Sequence, residues 1–264
     1  MASEQRALHD VSDRLLQNID PALDALFLDI DGTLIDIAQR PTDVVVPPSL
    51  ILLLKRLQAR FGGALAIITG RQINEVDRLF NPLRLTAAGV HGCEIRSRPD
   101  ADIEQQALTV SPDNIAAISV IAARYPGVMI EPKGTGVAVH YRNVPQSAAA
   151  LMRDLHKYFA GQNAQLVVAH GRMVFEILPT GFSKATALES LSRRAPFAGR
   201  RPVMIGDDVG DVPAFDYARR AGGLALRVAG EHFSFDNAEL VSPTAVRNFL
   251  DGLLATAPDT AHHQ

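Results

Sequence analysis

The hydrophobic and polar positions of this chain alternate in a regular way over its first hundred residues. Short apolar runs stop at a glycine or a polar turn, and stretches with apolar residues at helical spacing separate them. The first run, Ala25–Leu28, leads into Asp29, Ile30, Asp31 and a turn at Gly32-Thr33. The second, Ala64–Ile68, ends on Thr69, Gly70 and Arg71, and a third lies within Leu85–Arg96, with a turn at His91-Gly92. Such short, unbroken apolar runs predict parallel strands buried on both faces. Leu50, Leu53, Leu54 and Leu57 predict a helix over Ser49–Arg60 that stops at Gly62-Gly63, and Glu75–Phe80 predicts another, ended by Asn81-Pro82. Residues 1–24 predict an amphipathic helix with Leu8, Val11, Leu15 and Leu16 on one side. From about residue 100 the order changes. Helices are expected at Asn114–Tyr125 and Gln146–Phe159, and strands at Val128–Pro132, Gly136–Arg142, Gln165–Ala169 and Met173–Leu178, with a hairpin at Gly171. This predicts a small α+β layer over residues 99–179, inserted into a β-α-β-α core made of 1–98 and 180–264. The core resumes with a helix from Lys184 and strands over Arg201–Gly206 and Gly222–Val228.

Composition changes this picture little. The 264 residues are 47% hydrophobic and 21% charged with a net charge of −3, which is ordinary for a globular protein and gives no basic footprint for nucleic acid. One cysteine, Cys93, leaves no internal disulfide framework and fits a reducing compartment. Neither a membrane-length apolar stretch nor the apolar core of a signal peptide stands out, so a cytoplasmic protein is expected, with a frayed polar tail at A-T-A-P-D-T-A-H-H-Q. Neither G-x-x-x-x-G-K-[ST] nor G-x-G-x-x-G occurs, so nucleotide binding lacks its signature.

The candidate chemistry sits at the expected strand ends. Asp29 and Asp31 fall at the carboxyl end of the first strand, where open α/β sheets bind ligands. Two carboxylates there repel, which calls for a cation or a shared proton, and Mg²⁺ takes carboxylate and phosphate oxygens. Asp and Gly are also turn residues, and a calcium loop wants a third acidic position and a distant Glu, but the apolar strand before the pair favours a phosphate and metal site. Thr69-Gly70-Arg71 offers a hydroxyl and open backbone N–H groups, the makings of a phosphate cradle. Ser183 is a candidate N-cap just before Lys184. A lysine at a helix start opposes the dipole, a conflict that a neighbouring phosphate resolves. Asp207, Asp208 and Asp211 form an acidic tip after Gly206.

D-I-D-G-T-L, T-G-R, Lys184 and G-D-D-V-G-D, in that order, resemble the four motifs of haloacid-dehalogenase-type phosphatases. The resemblance implies a Rossmann-like parallel-sheet core with an inserted α+β cap. By it, Asp29 is the nucleophile and Asp31 the general acid/base, while Thr69 and Lys184 stabilise the phosphoryl group. Mg²⁺ is held by Asp29, Asp207 and a backbone carbonyl near Asp31, which puts Asp29, Asp31 and Asp207 at the metal, with Asp208 and Asp211 as supporting acids. Within that superfamily, G-V-H-G-C-E, E-P-K-G, A-V-H-Y-R and V-F-E-I-L-P resemble stretches of trehalose-6-phosphate phosphatases. This implies a sugar phosphate as the small-molecule partner; from the charge and the apolar runs no nucleic-acid or membrane partner is expected, and a monomer is the working expectation. Substrate would meet Gly70, Arg71, His91, Glu131, Lys133 and Glu176. The chain departs from the family pattern at Ala185, where Gly is usual, and at Gly210 and Val212, where Thr and Glu are usual. Those departures keep two alternatives open: a phosphatase for another ester, such as sucrose phosphate or mannosyl-phosphoglycerate, and a non-catalytic sugar-phosphate-binding domain.

Overall fold

The structure, a computed structural model, describes residues 14–37, 44–162 and 165–255. Of the expected N-terminal helix, residues 14–17 are helical, and Leu15 and Leu16 pack on the core. Leu8, Val11 and the tail expected to fray lie outside the described residues.

Strand β1 (Asp24–Leu28) has all five side chains buried, as its apolar run requires. Helix α1 (Pro48–Arg60) starts with proline, whose missing N–H costs nothing there, and buries Leu50, Leu53, Leu54 and Leu57. Strand β2 (Leu65–Ile68), helix α2 (Ile73–Leu79) and strand β3 (Thr86–Gly89) repeat the unit. A tight turn over Val90–Gly92 then reverses the chain into β4 (Glu94–Arg96) and β5 (Glu104–Gln105). Next come α3 (Pro112–Ala122), β6 (Met129–Pro132), β7 (Val137–His140), α4 (Ala148–Gln162), β8 (Leu166–Gly171) and β9 (Val174–Pro179). The chain ends with α5 (Lys184–Ser192), β10 (Arg201–Gly206), α6 (Val212–Arg220), β11 (Leu224–Arg227) and α7 (Pro243–Ala255).

Two sheets result. The larger has the order β11-β10-β1-β2-β3-β4-β5, in which the first five strands are parallel and the β3–β4 and β4–β5 pairings are antiparallel. From β1 the chain steps outward through β2 and β3, then returns through β10 on the other side. The order reverses at β1, so the carboxyl ends of β1, β2 and β10 share the crevice where such sheets bind ligands. The smaller sheet, β6-β7-β9-β8, is wholly antiparallel. It has its own core, in which Ile118, Leu151, Leu155, Phe159 and Phe175 are buried. The fold is thus an α/β core with a mostly parallel sheet and an inserted α+β cap. Between them runs an apolar seam of Val90, Cys93 and Leu178, with Phe182 against it.

One boundary differs from the expectation. Glu94 pairs with Gln105 and Ile95 with Glu104, so the larger sheet runs past residue 99. A two-residue polar strand carries no hydrophobic periodicity to announce it. No helix among the described residues is long and apolar enough to cross a membrane.

Candidate active site

The strand β1 ends before either aspartate. Asp29 keeps a ladder bond, its N–H donating to the Ile205 carbonyl at 3.0 Å, and its side chain is buried at the carboxyl end of the sheet. The chain then coils: Thr33, Leu34 and Ile35 all donate to the Ile30 carbonyl, and Gly32 takes a φ of +81°. Residues two apart share a face only while a strand continues, so periodicity no longer fixes the pair here, although Asp31 stays near enough to raise the Asp29 carboxyl. A Cβ on Gly32 would lie 2.1 Å from Asp207 Oδ2, so only glycine lets this turn pass the tip of β10.

Asp211 organises that tip. Its Oδ2 accepts the backbone N–H groups of Asp207 and Asp208 at 3.1 and 3.0 Å, and its Oδ1 accepts Lys184 Nζ at 2.7 Å. Lys184 Nζ also lies 3.0 Å from Asp29 Oδ2. The lysine is placed by the start of α5, where Ser183 Oγ accepts the Thr186 N–H at 3.2 Å. Thr33 Oγ1 donates to Asp207 Oδ1 at 3.2 Å. Carboxylate oxygens of Asp29, Asp207 and Asp211 all come within 4.8 Å of one another.

A single lysine faces three buried carboxylates, and the charges do not balance. Burial, then repulsion from Asp211 and Asp207, pushes the Asp29 carboxyl well above its ordinary range despite Lys184. Burial and Asp211 push Asp207 up to about 7. Burial works against the charge on Lys184, but Asp211 and Asp29 outweigh it and hold the ammonium above its ordinary range. Uncompensated negative charge on an all-oxygen donor set fits a hard divalent cation such as Mg²⁺.

The Asp31 side chain has a partner of its own. Arg71 Nε and one terminal nitrogen grip its two carboxylate oxygens at 2.6 Å each, while Asp211 stands with Asp29 and Asp207. Thr69 is buried at the end of β2. Its Oγ1 accepts the Arg71 N–H at 3.2 Å, which leaves the hydroxyl hydrogen free to donate. Asp208 stands outside the three-carboxylate group. Its Oδ1 accepts the Val209 N–H at 2.6 Å and lies 3.2 Å from His232 Nε2.

Over this edge the smaller sheet brings a second cluster. Lys133 Nζ donates to the Gly70 carbonyl at 3.1 Å and to Glu176 Oε1 at 3.3 Å. That oxygen lies 3.9 Å from His91 Nε2. A Cβ on Gly70 would sit 2.8 Å from His91 Nε2, so glycine admits the histidine. Val90 and His91 take φ of +45° and +53°, a conformation that costs non-glycine residues about 1–3 kcal/mol each. Bonds from the Val90 N–H to the Arg71 carbonyl and from the His91 N–H to the Thr69 carbonyl, 2.9 and 3.1 Å, hold the turn. Burial alone would raise Glu176, but Lys133 and His91 overcome it and hold the carboxyl at about 2. Glu131 Oε2 pairs with His140 Nε2 at 2.8 Å and lies 4.0 Å from Lys133. Arg172, on the β8–β9 turn, meets Glu231 of the core at 3.0 Å. Burial pushes the Cys93 thiol up to about 11, which leaves it no thiolate chemistry at neutral pH.

The structure therefore gathers Asp29, Lys184, Asp207 and Asp211 in one group, Asp31 and Arg71 in a second, and Gly70, His91, Lys133 and Glu176 in a third. Thr33, on Asp207, and His140, on Glu131, carry no signal of these contacts, although both lie within D-I-D-G-T-L and A-V-H-Y-R. His232 beside Asp208 has no local signal, because only the fold brings the two together.

The family model for trehalose-phosphatase matches residues 27–246. A Sinorhizobium fredii protein named "Probable trehalose-phosphate phosphatase" is 42% identical over 205 residues, covering 77% of each chain. The Escherichia coli "Trehalose-6-phosphate phosphatase" is 41% identical over 210 residues, again 77% of each. Among solved structures, the C-terminal domain of the C. albicans trehalose-6-phosphate phosphatase superposes with a TM-score of 0.80 over 92% of this chain and 97% of that one; at 21% identity this is a likeness of fold. The chain belongs to the trehalose-phosphatase family.

Proposed function

We propose that this protein is a cytoplasmic, monomeric, Mg²⁺-dependent phosphatase that hydrolyses trehalose 6-phosphate to trehalose and phosphate through an aspartyl-phosphate on Asp29. The observation that carries this reading is Lys184 bridging Asp29 and Asp211 beside Asp207, at the strand ends of a trehalose-phosphatase family member.

Asp29 attacks phosphorus in line as the bond to the sugar oxygen breaks. Asp31, held in place by Arg71, donates a proton to that oxygen, then takes one from the water that cleaves the aspartyl-phosphate. Thr69 and Lys184 hold the phosphoryl oxygens. Mg²⁺ held by Asp29 and Asp207, with Asp211 beside them, would offset the charge that develops on the phosphoryl group. The smaller sheet covers this edge and selects the sugar. His91 Nε2 and Glu176 Oε2 are buried without hydrogen-bond partners, a polar capacity that suits the hydroxyls of a disaccharide.

Phosphate release from trehalose 6-phosphate in MgCl₂ against excess EDTA tests the metal requirement. Chelation is expected to reduce the rate at least about 100-fold, with recovery on adding Mg²⁺. An equal rate in EDTA would overturn it.

A further inference from the structure

Strand β4 docks helix α2 through two buried side chains on one face. Arg96, fully buried, grips both carboxylate oxygens of Asp77 at 2.6 Å and donates to the Leu85 carbonyl at 2.9 Å. Glu94, two residues earlier and so on the same face, reaches the start of the helix, where its Oε2 accepts the Ile73 N–H at 2.8 Å. Its other oxygen accepts Gln105 Nε2 at 3.4 Å. Ile73 follows Arg71 by two residues, and the segment between is closely clamped. The Arg71 carbonyl accepts the Val90 N–H at 2.9 Å. A Cβ on Gly89 would lie 2.7 Å from that carbonyl and 3.0 Å from the Ile73 nitrogen. The β3–β4 turn thus holds the segment from one side and Glu94 from the other, and what they hold in place is the guanidinium on Asp31.

We propose that Glu94 is a positioning residue: by fixing the Ile73 N–H it sets the Arg71 backbone where the guanidinium engages both oxygens of Asp31, and so presents Asp31 for proton transfer. Glu94 touches none of the reacting groups. The catalytic half of this proposal rests on the reading of Asp31 as the general acid/base.

The test uses the full chain, labelled with ¹⁵N, and three variants. Glu94→Ala removes the acceptor, Glu94→Asp keeps the charge but loses the reach, and Glu94→Gln keeps an oxygen at the right distance. The readout is the Arg71 Nε–Hε resonance, assigned by its loss in Arg71→Lys. It is expected to broaden away in Glu94→Ala and Glu94→Asp and to persist in Glu94→Gln. With trehalose 6-phosphate, kcat is expected to fall about tenfold in the first two with KM within about twofold, and Glu94→Gln to stay within about threefold of wild type. The double variant Arg71→Ala/Glu94→Ala should be no slower than Arg71→Ala alone. A sharp Arg71 resonance in Glu94→Asp, or rate losses that multiply in the double variant, would overturn the proposal. Absence of phosphate release by the wild type would count against the reading of Asp31 instead, and the Arg71 resonance would still decide the role of Glu94.

Discussion

Asp29→Asn is expected to lower phosphate release at least about 10⁴-fold, because the amide cannot form the aspartyl-phosphate on which turnover depends. The same variant is expected to melt no lower than the wild type in EDTA at pH 7. The sign follows from the charge imbalance at the strand ends. The folded protein raises the Asp29 carboxyl above its ordinary 3.8, through burial and the neighbouring Asp211 and Asp207. A carboxyl raised in this way holds its proton more tightly when folded, so ionising it costs stability, and the cost grows as pH rises above that ordinary value. Asparagine removes that cost, and Lys184 keeps its 2.7 Å bond to Asp211. The difference between the two melting curves should vanish below pH 3.8 and widen towards neutrality. A variant that melts well below the wild type in EDTA, or that keeps turning over, would contradict this account of Asp29.

Glu176→Gln is expected to separate sugar recognition from phosphoryl transfer. The carboxylate is buried against Lys133 and near His91, which together hold it ionised, while its Oε2 has no hydrogen-bond partner. Gln keeps the volume but turns one acceptor into a donor, and it leaves Lys133 with the Gly70 carbonyl and the more distant Glu131. For trehalose 6-phosphate, kcat/KM should fall about 100-fold, since a buried polar site loses most when one of its pairings is reversed. For p-nitrophenyl phosphate, which offers no sugar hydroxyls, the change should stay within about threefold. Equal losses on both substrates would show that Glu176 acts on the chemistry of the core. Unchanged kinetics on both would remove it from the substrate contacts.

Much of this architecture was legible along the chain because its signals are local. Four apolar residues ending at Asp29, an N-cap serine before Lys184 and the glycines after α1 each mark a strand end or helix boundary within a few positions. The α/β core and the inserted α+β layer follow from such marks. Contacts made by the fold were not legible. Strand periodicity puts Asp29 and Asp31 on one face, yet the strand ends before both and Arg71 takes the Asp31 carboxylate. Asp211 reads as a supporting acid, but its fully buried carboxylate joins Asp29, Lys184 and the Asp207 backbone. The β4–β5 pairing escaped because Glu104 and Gln105 are polar and exposed. Glu94 escaped for a different reason, since a glutamate in a strand next to a glycine-rich turn gives no hint that it will cap a helix preceding it in the chain.

Substrate choice is decided by comparing kcat/KM, in Mg²⁺, for trehalose 6-phosphate, sucrose 6-phosphate, mannosyl-phosphoglycerate and glucose 6-phosphate, with Asp29→Asn as the blank. The proposed function predicts a preference for the trehalose ester of at least about 100-fold, lost with Asp29→Asn. Comparable values across the four esters, or no release above the blank from the trehalose ester, would contradict it.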